Sequence, residues 1–133
     1  MSLGVAVKAL ILWFGISVLA IANGLLRENA LIPSFGPVLG MLLSGALLSC
    51  LILTVAYFSL PWLGTRAPAQ LLLIGIGWLS LTLIFEFVFG LSRGKELAEL
   101  LDAYTFRGGN IWVVVLLTTV VSPWLAARIR GWI

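Results

Sequence analysis

The chain has 133 residues, of which 62% are hydrophobic and 10% are charged, whereas soluble domains average roughly 45–50% apolar and 25% charged residues. Eight Lys and Arg and five Asp and Glu residues are too few to cover a water-soluble surface, which excludes a soluble enzyme, a nucleic-acid-binding protein and a disordered chain. There is no histidine and one cysteine, Cys50, which excludes imidazole chemistry and an internal disulfide. We therefore predict a protein without catalytic residues, cofactor or metal.

Four segments are long and apolar enough to cross a membrane, which takes roughly 20 residues. They are residues 5–26, 38–60, 70–91 and 111–127 of a single integral membrane domain, 1–133. We expect the first segment to remain in the mature protein, because its apolar core is too long for a signal peptide and no small-residue cleavage site follows it.

Prolines mark the first two connections between spans. Pro33 and Pro37 each lack a backbone N–H and disfavour a helical conformation in the preceding residue, so residues 31–37 are predicted not to form a continuous helix. Pro61 and Pro68 bracket a short second connection, which predicts that the second and third spans are antiparallel neighbours.

The third connection contains a predicted amphipathic helix at residues 95–106. Its apolar side chains recur at the spacing that brings them to one helix face; they are Leu97, Leu100, Leu101 and Tyr104. Glu96 and Glu99 fall on another side and are expected to be exposed, with the apolar face buried against lipid or the bundle. The segment is too short to span, so we predict an interfacial helix. The predicted fold class is all-α: a four-helix transmembrane bundle with a short interfacial helix before the fourth span.

Basic residues are divided equally between the two ends of this bundle. One end, which holds both termini, has Lys8, Arg66, Arg128 and Arg130. The other end has Arg27, Arg93, Lys95 and Arg107. The second set also has nearby acidic partners, so we expect the first end, with its tryptophans in an aromatic belt, to face the cytoplasm. The tryptophans of that end are Trp62, Trp124 and Trp132.

Glu86 is an acidic residue within a predicted span. A carboxylate in the membrane is costly, so Glu86 is expected to face the bundle interior and to have a partner. Arg27 lies at the same membrane side and is the predicted partner, with Arg93 as the second candidate. Further polar residues at this end complete a predicted buried polar cluster: Asn23, Arg27, Glu28, Glu86, Asp102, Tyr104 and Arg107. Such a cluster either forms a pocket for an ion, a proton or a lipid headgroup, or locks the helices in register.

Short motifs are spread over most of the chain. They are Asn23-Gly24-x-x-Arg27-Glu28, Phe85-Glu86-Phe87-x-Phe89-Gly90, Leu100-Leu101-x-x-Tyr104, Trp112 and Pro123. Together they resemble a loose group of small, functionally uncharacterised four-span bacterial inner-membrane proteins. The resemblance implies four spans and a bacterial inner membrane, and it implies no activity, cofactor or partner. In that group a histidine often follows the second motif; here the position is Leu91, so a proton-handling role of such a histidine does not transfer.

Two functions are compatible with these features. The first is a non-enzymatic accessory or structural subunit of a larger membrane assembly. The alternative is a small oligomeric transporter or channel that uses Glu86 and Arg27 near an ion or substrate path. The predicted partners are membrane lipid and either other membrane subunits or a second copy of the chain, since Gly36, Gly40 and Ser44 follow the small-residue spacing of close helix contacts. No nucleic acid is expected.

Overall fold

The computed structural model of the protein describes residues 3–102 and 104–133. Its α-helices in chain order are α1 (Leu3–Leu26), α2 (Ile32–Phe35), α3 (Pro37–Leu63), α4 (Pro68–Ser92), α5 (Leu97–Asp102) and α6 (Trp112–Ile129). No strand occurs in these ranges. The helices α1, α3, α4 and α6 are long and apolar enough to cross a membrane. This confirms the all-α fold class with four membrane-spanning helices.

The first connection was predicted to interrupt the helix at residues 31–37. This prediction is wrong in its extent, because helical structure continues from Leu3 to Phe35. A π-helical turn, Arg27–Leu31, connects α1 directly to α2, and the N–H of Ile32 reaches the carbonyl of Arg27 across it. Pro33 then occupies the first turn of α2, directly after this π-helical turn. The chain leaves the helix only at Gly36, whose φ of 87° suits glycine.

The second predicted break is displaced as well. Helix α3 continues through Pro61 and ends at Leu63, followed by Gly64 in the left-handed region. Pro61 frees the carbonyl of Tyr57, four residues earlier, from its helical partner. Arg130 Nε donates to that carbonyl at 2.6 Å. The proline is tolerated because a side chain from another helix replaces the lost donor.

Pro123 lies inside α6 in the same way. Its missing N–H frees the carbonyl of Thr119, and the hydroxyl of Ser122 donates to this carbonyl at 3.0 Å. Each of these two helix-internal prolines is therefore matched by a side-chain donor for the carbonyl that it leaves without an N–H.

The four long helices pack in the cyclic order α1, α3, α6, α4. The predicted contact between the second and third spans is therefore wrong, because α6 lies between α3 and α4. Small residues make this possible: Gly75 of α4 lies against the backbone of Val120 in α6, where a Cβ has no room. Two small residues of α3 also lie at close contacts: Gly40 packs on Ile32 of α2, and Ser44 is buried.

The two ends of the bundle differ in packing. We call the end that holds Leu63, Pro68 and Ile129 the closed end, and the opposite end, which holds Pro37 and Ser92, the open end. Tightly buried apolar residues fill the closed end: Ala56, Leu60, Leu63, Leu71, Trp78, Ala126 and Ala127. The core is thus concentrated in one half of the bundle, and the other half contains a cavity.

The predicted interfacial helix is shorter than expected, since α5 covers Leu97–Asp102 rather than 95–106. Of its apolar residues Leu100 is buried, against Gly90 of α4, whereas Leu97 and Leu101 are exposed on the protein surface. Glu96 and Glu99 are exposed as predicted, and Tyr104 is half-buried. Ala103 lies outside the described residues. The chain forms a turn at 104–106, which lets Tyr104 reach α4.

Candidate functional site

A cavity of about 470 Å³ lies at the open end, between the four long helices. Most of its wall is apolar and comes from α1, α3 and α6: Trp13, Ile16, Ala20, Leu48, Ile52 and Val115. Polar side chains from α4, α5 and the segment before α6 complete the wall toward the open end. Its size and mixed lining are typical of a small-molecule site.

The floor of the cavity lies deep in the bundle. Trp13 and Arg27 both line the cavity, and they are 14 residues apart along the chain. The cavity therefore extends over roughly 21 Å of helix, at 1.5 Å per residue. At the floor, Trp13 Nε1 donates to Thr82 Oγ1 at 3.0 Å, and the Thr82 hydroxyl donates to the Trp78 carbonyl at 2.7 Å. These bonds and the packed closed end separate the cavity from the opposite side of the bundle.

We infer that the cavity opens sideways between α1 and α4. These two helices form the loosest of the four helix contacts, which involves Ala9 and Trp13 of α1 near the closed end. Beyond Trp13 the facing residues of both helices line the cavity instead of packing on each other. Ile21 of α1 and Phe89 of α4 line the cavity and are 55% and 47% exposed. They form an apolar rim at the depth of the spans.

Glu86 lies in the cavity wall and is half-buried. Its Oε2 atom accepts two hydrogen bonds of 2.9 Å, one from the Tyr104 hydroxyl and one from Trp112 Nε1. Asn110 holds Trp112 in place, because Asn110 Oδ1 accepts the backbone N–H of Trp112 at 3.0 Å. The carboxylate is thus held by two neutral donors, one from the turn after α5 and one from the start of α6.

The environment of Tyr104 keeps its hydroxyl protonated. Burial, together with the hydrogen bond to Glu86 and the negative charge of that carboxylate, raises the pKa of Tyr104 to about 12, although a hydrogen bond with Trp112 acts in the opposite direction. At neutral pH the phenol is therefore a hydrogen-bond donor, as the contact with Glu86 requires.

The predicted ion pair between Arg27 and Glu86 is wrong. Arg27 Nε pairs with Glu28 Oε1 at 3.3 Å on the protein surface, and within the described part of the chain no ion pair joins Glu86 to Arg27 or to Arg93. Arg93 lies over the ring of Phe89, 5.2 Å from its centre. The physical reason is that the Tyr104 and Trp112 donors hold one oxygen of Glu86 without a buried cation, whose desolvation is costly.

The other predicted cluster residues separate into different places. Asn23 is buried and pairs with Ser44: the Ser44 hydroxyl donates to Asn23 Oδ1 at 2.5 Å, and Asn23 Nδ2 donates to the Ser44 carbonyl at 3.1 Å. This pair ties α1 to α3. Asp102 lies in the cavity wall, Glu28 is exposed, and the side chain of Arg107 is outside the described part of the structure.

Trp112 and Ser44 are the site residues that sequence reasoning did not place in the cluster. Trp112 resembles an interfacial tryptophan at a span end, and only its indole N–H distinguishes it as a donor for a buried carboxylate. Ser44 resembles a small residue for helix contact. In both cases the sequence shows a side chain with a hydrogen-bond donor, but the acceptor is far away in the sequence.

The closed end carries a belt of basic and aromatic side chains. Its four basic residues each lie over an aromatic ring: Lys8 over Trp62, Arg66 over Trp132, Arg128 over Trp124 and Arg130 over Tyr57. Lys8 Nζ also donates to the Trp62 carbonyl at 3.0 Å in the last turn of α3. The five Asp and Glu residues of the sequence are at positions 28, 86, 96, 99 and 102, and none of these belongs to the closed end.

No protein-family model, no curated protein and no solved structure matches this chain. The functional argument therefore depends on the cavity and its lining.

Proposed function

We propose that the protein is a small membrane transporter or carrier that binds an amphiphile from the bilayer in the cavity at its open end. The sideways opening between α1 and α4, with its apolar rim of Ile21 and Phe89, carries this proposal. It develops the second of the two functions compatible with the sequence and gives Glu86 a place at the polar end of the ligand.

The distribution of apolar and polar groups in the cavity matches an amphiphile. A tail would lie along Ile16, Ala20 and Leu48, in the deep apolar part. A polar head would lie beside Glu86 and Trp112, near the open end. A fully hydrophilic solute would have to leave water for an apolar floor and would lose hydration there without replacement.

The closed floor favours a carrier over a channel. The bond between Trp13 and Thr82 and the packed residues of the closed end interrupt any path through the bundle. A ligand bound here would therefore be exchanged through the side opening or the open end.

The accessory-subunit function remains a prediction that concerns the outer apolar faces and not the cavity. We further propose a bacterial inner membrane as the location, following the motif resemblance, with the basic closed end in the cytoplasm. Co-purification in mild detergent distinguishes a stable partner subunit from a homo-oligomer or a single chain.

The binding proposal is tested with dodecanol, a neutral amphiphile, added to the purified protein in maltoside detergent. We expect the midpoint of thermal unfolding to rise with dodecanol concentration, because a ligand of the folded state stabilises it by mass action. Ala20→Trp fills the cavity and should abolish the rise. Val18→Trp is the matched control, because Val18 is exposed on the outer face of the same helix. An equal response of both variants would contradict the proposal.

A further inference from the structure

We infer that the head group of the ligand is a cation, of the alkylammonium class, which binds at Glu86. This inference rests on the proposed binding of an amphiphile in the cavity and specifies its chemistry.

The first support is the unfilled acceptor capacity of Glu86. Both neutral donors, Tyr104 and Trp112, bind the same atom, Oε2. Within the described residues Oε1 has no hydrogen-bond or ion-pair partner. Since Glu86 lines the cavity, this second oxygen is available to a ligand, and an ammonium group offers the N–H donors and the positive charge that a carboxylate binds most strongly.

The second support is the aromatic surroundings of Glu86. Phe85, Phe89 and Trp112 line the same part of the cavity. The rings of Phe85 and Phe89 are stacked, with centres 5.3 Å apart. The face of an aromatic ring attracts a cation, most strongly where water is excluded.

The third support is the balance of charge around the cavity. The charged residues in its wall are Arg27, Glu86, Lys95, Glu99 and Asp102. Three of these five are acidic and two are basic, so the formal charge of this set is negative. A cleft with an excess of negative charge and apolar walls concentrates cations.

The test compares three probes with the same tail length: dodecylamine, dodecanol and dodecanoate. The maltoside detergent is uncharged, so it competes equally with each of them. At pH 7 we expect dodecylamine to bind about tenfold more tightly than dodecanol, in line with the strength of charge-assisted hydrogen bonds. Glu86→Gln should remove this preference, so that dodecylamine and dodecanol bind with similar affinity. Glu96→Gln is the matched control, because Glu96 is exposed and outside the cavity wall.

The outcomes separate this inference from the proposed function. Equal affinities for amine and alcohol, both lost in Ala20→Trp, would overturn the cationic head and keep the cavity as a binding site. Tightest binding of dodecanoate would overturn it in favour of an anionic head near Arg27 and Lys95. No binding of any probe would overturn the proposed function itself. If Glu86→Gln does not fold, the ratio of amine to alcohol affinity in the unmodified protein decides between these outcomes.

Discussion

Within the described residues, Glu86 is held in a membrane-spanning helix by neutral hydrogen-bond donors and not by an ion pair. Two neutral donors, Tyr104 and Trp112, meet at one of its oxygens, so that the stabilising groups need no desolvated positive charge. An ion pair with Arg27 would satisfy Glu86 permanently. The observed arrangement fixes the position of the carboxylate and leaves its Oε1 atom without a partner among the described residues, which suits a binding group better than a structural one.

The coupling between Tyr104 and Glu86 gives a prediction for pH dependence. In Tyr57→Phe the remaining tyrosine is Tyr104, and its ultraviolet absorbance should change with a midpoint near the pKa of about 12. The pKa of Tyr104 in the folded protein lies above the ordinary value of 10.0. The contribution of the protonated Tyr104 to stability is therefore complete below pH 10 and is lost as the pH rises toward 12. Glu86→Gln should lower the midpoint, because it removes the negative charge. A midpoint near 10 in Tyr57→Phe would show that the contact is absent.

At the scale of helices, the two internal prolines are each paired with a replacement donor. Pro61 frees the Tyr57 carbonyl, which Arg130 binds, and Pro123 frees the Thr119 carbonyl, which Ser122 binds. The first of these pairs ties α3 to the end of α6. Arg130 also lies over the rings of Tyr57 and Trp132. A proline that disrupts one helix thus creates an acceptor that a second helix uses for packing.

This arrangement predicts a coupling between Pro61 and Arg130. Arg130→Leu should lower the free energy of unfolding by roughly 1–3 kcal/mol, because it leaves a partly buried carbonyl without a donor. In the Pro61→Ala background the loss should be smaller, since the new backbone N–H binds the carbonyl. Denaturant unfolding in detergent gives the free energy of unfolding of the unmodified protein, the two single variants and the double variant. Arg128→Leu is the control, because Arg128 lies over the ring of Trp124. Equal losses for Arg130→Leu in both backgrounds would contradict the coupling.

The helices were predictable from the sequence, whereas their contacts were not. The four spans follow from local composition alone, because each long apolar run requires lipid and each helix satisfies its own backbone. The prolines misled because their effect depends on donors far away: Arg130 is 73 residues from Tyr57. The same holds for Glu86, whose partners are 18 and 26 residues away. Its position at the cavity was predictable, since a carboxylate in a span faces inward, but its two neutral partners were not.

The whole molecule is asymmetric along the bundle axis. The closed end combines tight apolar packing with four basic residues that lie over aromatic rings. The open end contains the cavity and the acidic residues. Basic residues at a membrane surface favour the cytoplasmic side, so the asymmetry of charge predicts on which side of the membrane the cavity opens.

The orientation follows as a prediction for intact cells. Cys50 is exposed, so Cys50→Ser provides a cysteine-free background for single labels at Ala67 of the closed end and Ser92 of the open end, both exposed. Because the closed end has basic residues without acidic ones, we expect Ala67→Cys to face the cytoplasm and to react with a membrane-impermeant maleimide only after the cells are permeabilised. Ser92→Cys should react in intact cells. The reverse pattern would place the cavity toward the cytoplasm, and labelling of both from one side would contradict the four-span topology.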